Sequence, residues 1–466
     1  MIFTEWRFFP FFLLVFAVHW ALRREGARRL WLLGTSYVFY GAWDWRFLGL
    51  IWLTTVMDYL FGAQLARVER RRVAWMWASV VMNLGILGAF KYFDFFVGSG
   101  TQVLHWLGLD VRATALEIVL PAGISFYTFQ SMSYTLDVYR RELLPAKSLL
   151  DFAFFVAFFP QLVAGPIVRA ADFLPQLAEP RSLARIDFRA CLVLFLSGFV
   201  KKACVSDNLA PLVERYFEAP ALYGSASAWL ATLSYATQIY CDFSGYSDMA
   251  IACAALLGYR LRLNFDFPYL ARSITEFWRR WHMSLSTWLR DYLYIPLGGS
   301  RGSRLFVFRN LMLTMLLGGL WHGAAWHFVV WGGLHGLALA WHRAWRGWFS
   351  EASRVRRLLA PLGLPLTLSF VCLGWIFFRA RTLPDAWTAT RAFLFLGTPG
   401  TQELDPLVFA PLFLLALAHV VTRRRWLAGW WEKLPAWGFA VAYGSLVGLV
   451  LPFVSVDFTP FIYFQF

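Results

Sequence analysis

Two histidines in this chain stand where imidazole chemistry would find a protected setting. His322 sits in GGLWHGAAWHF, thirteen residues beyond Arg309. On a helix that is about 20 Å along a hydrocarbon layer of about 30 Å, so the ring lies deep. Gly318, Gly319, Gly323, Ala324 and Ala325 surround it, so another helix or a substrate can approach closely. Such a histidine is either a satisfied structural residue or a catalyst. His282 lies within RSITEFWRRWHMSLSTWLRDYLYIPLGGSR (272–301), which is too polar to span lipid and too aromatic for a plain loop. That segment belongs at the membrane interface or along a water-filled cavity. Its arginines are then either anion-binding groups or phospholipid contacts, and its tryptophans are interfacial anchors.

A third polar island, YATQIYCDFSGYSD (235–248), places Gln238, Asp242, Ser244 and Asp248 in an apolar run. The two aspartates are about 120° apart on a regular helix, so they form no carboxylate dyad unless Gly245 breaks the helix. The island is either the polar wall of a substrate channel or interhelical glue. His327, His335 and His342 fall within about 80° of one another on one helix. They lack the facing-helix or Cys and carboxylate partners of a haem or zinc site, so no metal is expected. Gly298, Gly299 and Gly302 lack the Lys-Ser/Thr ending of a phosphate-binding loop and read as a turn.

The elements that must hold these residues follow from composition. Of 466 residues, 59% are hydrophobic, 19% aromatic and only 15% charged. That excludes disorder, fibres and an ordinary soluble enzyme, and leaves room for about 11 to 14 transmembrane helices. Apolar runs cover 8–22, 30–43, 47–66, 73–93, 116–138, 152–168, 188–205, 227–258, 305–321, 324–342, 361–378, 406–422 and 436–454. The N-terminal run leads straight into basic residues and reads as a retained first span. Loops 23–29, 67–72, 140–147, 343–357 and 423–433 are strongly basic and belong on the cytoplasmic side, whereas 44–46, 98–115 and 379–405 are short or near neutral. The alternation holds if both termini face outward and 152–168, with Pro160, Gly165 and Pro166, dips in without crossing; an ordinary kinked span is the alternative. Loop placement also accounts for the net charge of +15, so nucleic acid is not a partner. Five cysteines in apolar runs, without metal spacing, are inert thiols. No internal repeat supports an inverted-repeat transporter.

Several blocks together resemble the membrane-bound O-acyltransferase family, in particular its bacterial branch that O-acetylates exported polysaccharides such as alginate. They are SITEFWRRWHMSLSTWLRDYLYIPLGG (273–299), LTMLLGGLWHGAAWHFVVWGGLHG (313–336), QIYCDFSGYSDMAI (238–251), LPAGISFYTFQSMSYTLDVYR (120–140), FFPQLVAGPIVR (158–169) and the end PFIYFQF (460–466). The resemblance implies an all-α polytopic membrane protein, a single domain over 1–466 with its catalytic core at about 116–345. Its helices, about 11 to 13 of them in the membrane, would form a ring around a narrow waist, with re-entrant or interfacial segments.

The family's catalytic histidine falls on His322 and its partner histidine on His282. Arg279, Arg280, Arg290, Asp291, Gln238, Asp242 and Trp321 are the candidates for a substrate or donor channel, with Arg301 a further donor candidate. Arg290 and Asp291 support the waist or form a structural ion pair. The implied donor is acetyl-CoA, used as substrate with no bound cofactor. The implied partners are the lipid bilayer of the bacterial inner membrane, an extracytoplasmic acetyltransferase and, indirectly, the polysaccharide acceptor. The same scaffold serves D-alanyl transfer to teichoic acid in related proteins, and a transporter or export channel is the reading from a different class. A compact 423–435 loop and His327 depart from the family pattern.

Overall fold

A computed structural model describes residues 1–111, 118–163, 165–350, 353–397, 400–423, 429–455 and 461–462. The protein is all-α, with no strand among the described residues. Lipid offers backbone groups no hydrogen bonds, so each spanning segment must satisfy its own, and a helix does so. Six helical stretches among the described residues are long and apolar enough to cross a membrane: Glu25–Arg67, Glu69–Trp106, Arg304–His322, Arg354–Arg379, Pro406–Arg423 and Ala436–Phe453. Large apolar side chains such as Leu13, Val81, Phe413 and Leu449 point outward. In water such a surface would aggregate; against acyl chains it is the solvent-facing side of a multi-pass membrane protein.

The chain forms two compact units, one of residues 1–191 and 250–262, the other of 192–249 and 263–466. In the first, Asp58 ties three helices together. It accepts from Ser79 Oγ (2.6 Å) and Asn83 Nδ2 (2.9 Å), and Ser79 in turn pairs with Thr135 at 2.8 Å. The 152–168 run is broken, as its prolines predict. The helix Leu149–Ala157 stops at Phe158, and the single turn Phe159–Leu162 carries Pro160 at its start. Nine residues rise about 14 Å, half a bilayer core. One expectation is corrected here. The 98–115 stretch is not a loop from its start, because the helix Phe93–Trp106 runs through Gly98 and Gly100.

The second unit holds all the candidate residues. The long helix Ser225–Leu256, whose residues 225–249 belong to this unit, is unbroken. Gly245 does not end it; Gly245 is where the backbone of Gly198 passes, since a Cβ at Gly245 would lie 2.6 Å from the Gly198 carbonyl oxygen. Just beyond that crossing the chain widens into the π-helix Val200–Ser206, an insertion typical of functional segments. The π turn aims two consecutive lysines at three aspartates: Lys201 pairs with Asp248, and Lys202 lies 2.7 Å from both Asp242 and Asp207. The aspartates' angular offset thus serves separate lysines. Asp242 also accepts the Ile462 amide at 2.7 Å, and Phe461 packs on Phe243 and Tyr246. The remainder of the PFIYFQF end and residues 424–428 of the basic loop lie outside the described residues.

Segment 272–301 forms short pieces, the helices Ile274–Arg280 and Met283–Leu289 and the π turn Arg290–Tyr294, consistent with a stretch too polar to span. Arg304–His322 and Trp326–Trp348 form a hairpin in contact at Gly319 and Gly332. A Cβ at Gly332 would meet the Met315 oxygen at 2.2 Å, so the two backbones touch without side chains between them.

The Lys202 side chain is 1% exposed between two carboxylates. Lys202→Met therefore leaves buried anions uncompensated, at a cost of about 3–5 kcal/mol. Thermal unfolding in detergent checks this: a lowered midpoint is expected, partly recovered when Asp242→Asn is added, and an unchanged midpoint would show that the triad carries no stability.

Candidate active site

His282 occupies a turn that few residues tolerate. It joins Ile274–Arg280 to Met283–Leu289 with φ 41° and ψ 56°, a left-handed conformation. A residue with a Cβ pays roughly 1–2 kcal/mol to adopt it. The surrounding contacts hold it there. Asn264 accepts the Met283 amide through its carbonyl (2.9 Å) and the Ser284 hydroxyl through Oδ1 (2.9 Å), while the Asp266 amide donates to the Arg280 carbonyl (2.9 Å). Asn264 Nδ2 then reaches Ser247 on the long helix at 3.3 Å. The ring is thereby placed edge-to-face against Phe243 at 4.6 Å, with Phe265 stacked at 6.4 Å. Complete burial among these rings pushes the imidazole down to about 3, so it is neutral across the physiological range.

His322 is the last residue of Arg304–His322, held at the hairpin tip by Trp321, Trp331 and Phe378 at 5.1, 5.1 and 5.2 Å. The two histidine rings lie 6.5 Å apart, centroid to centroid, and Trp321 stands 6.0 Å from His282. The two imidazoles thus face one small space within an aromatic wall.

Comparison with known proteins shows the family. The profile of the membrane-bound O-acyltransferase family (MBOAT) matches residues 140–378, a span that includes both histidines. The chain belongs to the MBOAT family. It is 45% identical over 410 residues to a probable alginate O-acetylase AlgI of Pseudomonas aeruginosa, covering 87% of this chain and 77% of that one. A protein of the same name from Azotobacter vinelandii is 42% identical over 426 residues, 90% of this chain and 84% of the relative. The peptidoglycan O-acetyltransferase of Helicobacter pylori is 37% identical over 388 residues, 77% and 72% of the two chains. This protein is accordingly a membrane-bound acyltransferase.

The other candidates of this MBOAT chain divide by position. Gln238 and Asp242 are buried one turn apart on Ser225–Leu256, with Asp242 committed to Lys202 and Ile462. Arg280 holds Glu276 at 2.6 Å. Arg290 pairs with its neighbour Asp291 and is exposed. Arg279 lines a cavity of about 990 Å³ to which neither histidine contributes, and Arg301 is exposed on the glycine turn.

The three histidines of Trp326–Trp348 engage two elements, His327 the Arg354–Arg379 stretch and the other two Ile274–Arg280. His327 Nδ1–H donates to the Phe377 carbonyl (3.0 Å), His335 Nδ1 accepts from Trp278 (3.3 Å), and His342 Nδ1 bonds Thr275 (2.8 Å). Sequence reasoning missed Lys201 and Lys202, although two lysines inside an apolar run were the available signal. It also missed Asn264, whose role is set by the turn it braces.

Gly323 follows His322, and a Cβ there would fall 2.0 Å from the Phe328 ring. Phe328 packs on Phe378, the ring beside His322. Gly323→Ala is expected to displace this wall and lower acyl transfer roughly a hundredfold, the effect of an ångström of misplacement at a reacting centre. Polymer ester content measured against protein level in the membrane checks it, and normal ester content would show that the wall does not position His322.

Proposed function

We propose that this acyltransferase moves an acetyl group from cytoplasmic acetyl-CoA across the bacterial inner membrane for O-acetylation of an exported polysaccharide such as alginate, by way of an extracytoplasmic acetyltransferase partner. The observation that carries the reading is the meeting of His282 and His322 in one aromatic enclosure. The alginate O-acetylases at 45% and 42% identity support acetyl as the group and an acidic polysaccharide as the acceptor. The basic loops support a topology with both termini outward.

In this reading His322 takes the proton of an attacking hydroxyl, belonging to the acceptor or to a relay residue, as its oxygen adds to the thioester carbonyl. His282, neutral in its enclosure, offers an N–H to the oxygen on which charge develops, or orients His322. Collapse of the tetrahedral adduct breaks the C–S bond, and the proton held on His322 passes to the departing thiolate. An ester and a free thiol result. The aromatic walls keep water from intercepting the acyl group.

The test is His322→Ala in cells making the polymer. Ester content is expected to vanish while the protein still inserts, and esters at normal levels would remove His322 from the chemistry. Mass analysis of the wild-type product reads the group directly. An acetyl increment is expected; an alanyl increment would place the protein with teichoic acid D-alanylation.

A further inference from the structure

Trp331 turns its ring to His322 and its indole N–H toward a different neighbour. A Cβ at Gly374 would lie 3.5 Å from Trp331 Nε1 and 3.0 Å from His335 Nε2, so two ring nitrogens of Trp326–Trp348 converge on the bare backbone of Arg354–Arg379. Both side chains are at most 1% exposed, and neither nitrogen has a hydrogen-bond partner among the described residues. One buried polar group left unpaired is costly; two side by side point to a ligand.

Both nitrogens are donors. Indole has only its N–H to offer, and Trp278 Nε1 donates to His335 Nδ1 at 3.3 Å. That bond fixes the tautomer: Nδ1 carries the lone pair, so the proton of the neutral ring sits on Nε2. The converging pair therefore calls for an acceptor. Phe277, Phe370 and Trp375 pack around these two rings and give an anion no counter-charge. A sugar hydroxyl would bring a proton for which the pair has no acceptor. A neutral carbonyl oxygen, with two lone pairs and no proton, suits it.

The surroundings identify whose carbonyl. The Trp331 ring is 5.1 Å from His322 and 4.6 Å from His335, so the pair lies one ring back from the reacting histidine. On the far side Phe370 stands 5.4 Å from His335 and lines the cavity of about 990 Å³, as does Ala338, one turn along the helix from His335. That cavity extends to Trp345, where the helix enters the basic 343–357 loop of the cytoplasmic side. A molecule that enters there and reacts at His322 passes the pair. In the arm of coenzyme A, two methylenes separate the thioester sulfur from the nearest amide. With the thioester at His322, that amide falls beside Trp331.

We propose that Trp331 Nε1–H and His335 Nε2–H together hold the carbonyl oxygen of this amide, making both residues donor-binding groups that set how far the thioester reaches toward His322. The inference rests on acetyl-CoA as the acyl donor.

Calorimetric titration of the purified full chain with acetyl-CoA, and with an analogue whose nearest amide is replaced by two methylenes, tests it. Trp331→Phe keeps a ring against His322 and removes one N–H; His335→Leu removes the other. Each is expected to weaken acetyl-CoA binding roughly tenfold and to leave the analogue's affinity, already lower with the wild-type protein, unchanged. His335→Gln, whose amide restores an N–H, is expected to recover most of the loss. Size-exclusion profiles report folding, and Trp331→Phe, the milder change, decides alone if His335→Leu does not fold. Undiminished acetyl-CoA binding in a folded variant would overturn this inference and leave the donor reading standing. So would an equal loss for acetyl-CoA and the analogue, which would make the pair a packing feature only. Wild-type protein that binds no acetyl-CoA would overturn the donor reading, and this inference with it.

Discussion

A polar group inside a membrane bundle must find its partner in protein, because the surrounding solvent offers none. Much of this structure can be read from that constraint. Asp58 satisfies it with hydroxyls and an amide, joining three helices of the first unit. Lys202 satisfies it with two carboxylates, and one of those carboxylates also accepts the Ile462 amide. The chain end is thus drawn toward the long helix by a charge that already needed a partner. The arrangement that keeps Asp242 tolerable also brings Phe461 against Phe243, the ring edge-on to His282.

A division of labour follows along the second unit. Charged residues hold elements in place, while the walls of the histidine enclosure are aromatic rings that provide shape and dryness. A proton-transfer site benefits from that separation: an ionised side chain beside His322 would compete for the proton, whereas Trp331 and Phe378 do not. The remaining histidines of the hairpin are each engaged by a carbonyl, an indole or a hydroxyl of another segment, so they serve to tie helices together.

How much of this was legible in the sequence depended on whether a feature is local. Helical runs are local, and their apolar stretches carry the fold class and most helix positions. Pro160 announces the break near Phe158, and the polarity of 272–301 announces short pieces instead of a span. His322 is conspicuous through its glycine-rich neighbourhood. The forty residues between His282 and His322 carry no distance, so their meeting came only from the family likeness until the structure placed the rings together. The left-handed turn at His282 was illegible for a physical reason: its backbone conformation is imposed by Asn264 and Asp266, residues that pattern alone does not connect to it. Gly245 left the question open because a glycine in a helix can signal a break or a close crossing, and only the partner, Gly198, distinguishes the two.

The backbone contact of Gly319 with Gly332 has a mechanical consequence. Side chains between two helices act as springs, since rotamers adjust and let one helix slide on the other. Main chain pressed on main chain has no such slack. The Arg304–His322 and Trp326–Trp348 helices consequently behave near the tip as a single stiff prong, with His322 and Trp331 fixed to it together. Any motion that opens the enclosure has to come from the opposing side, the jointed short helices on which His282 rides.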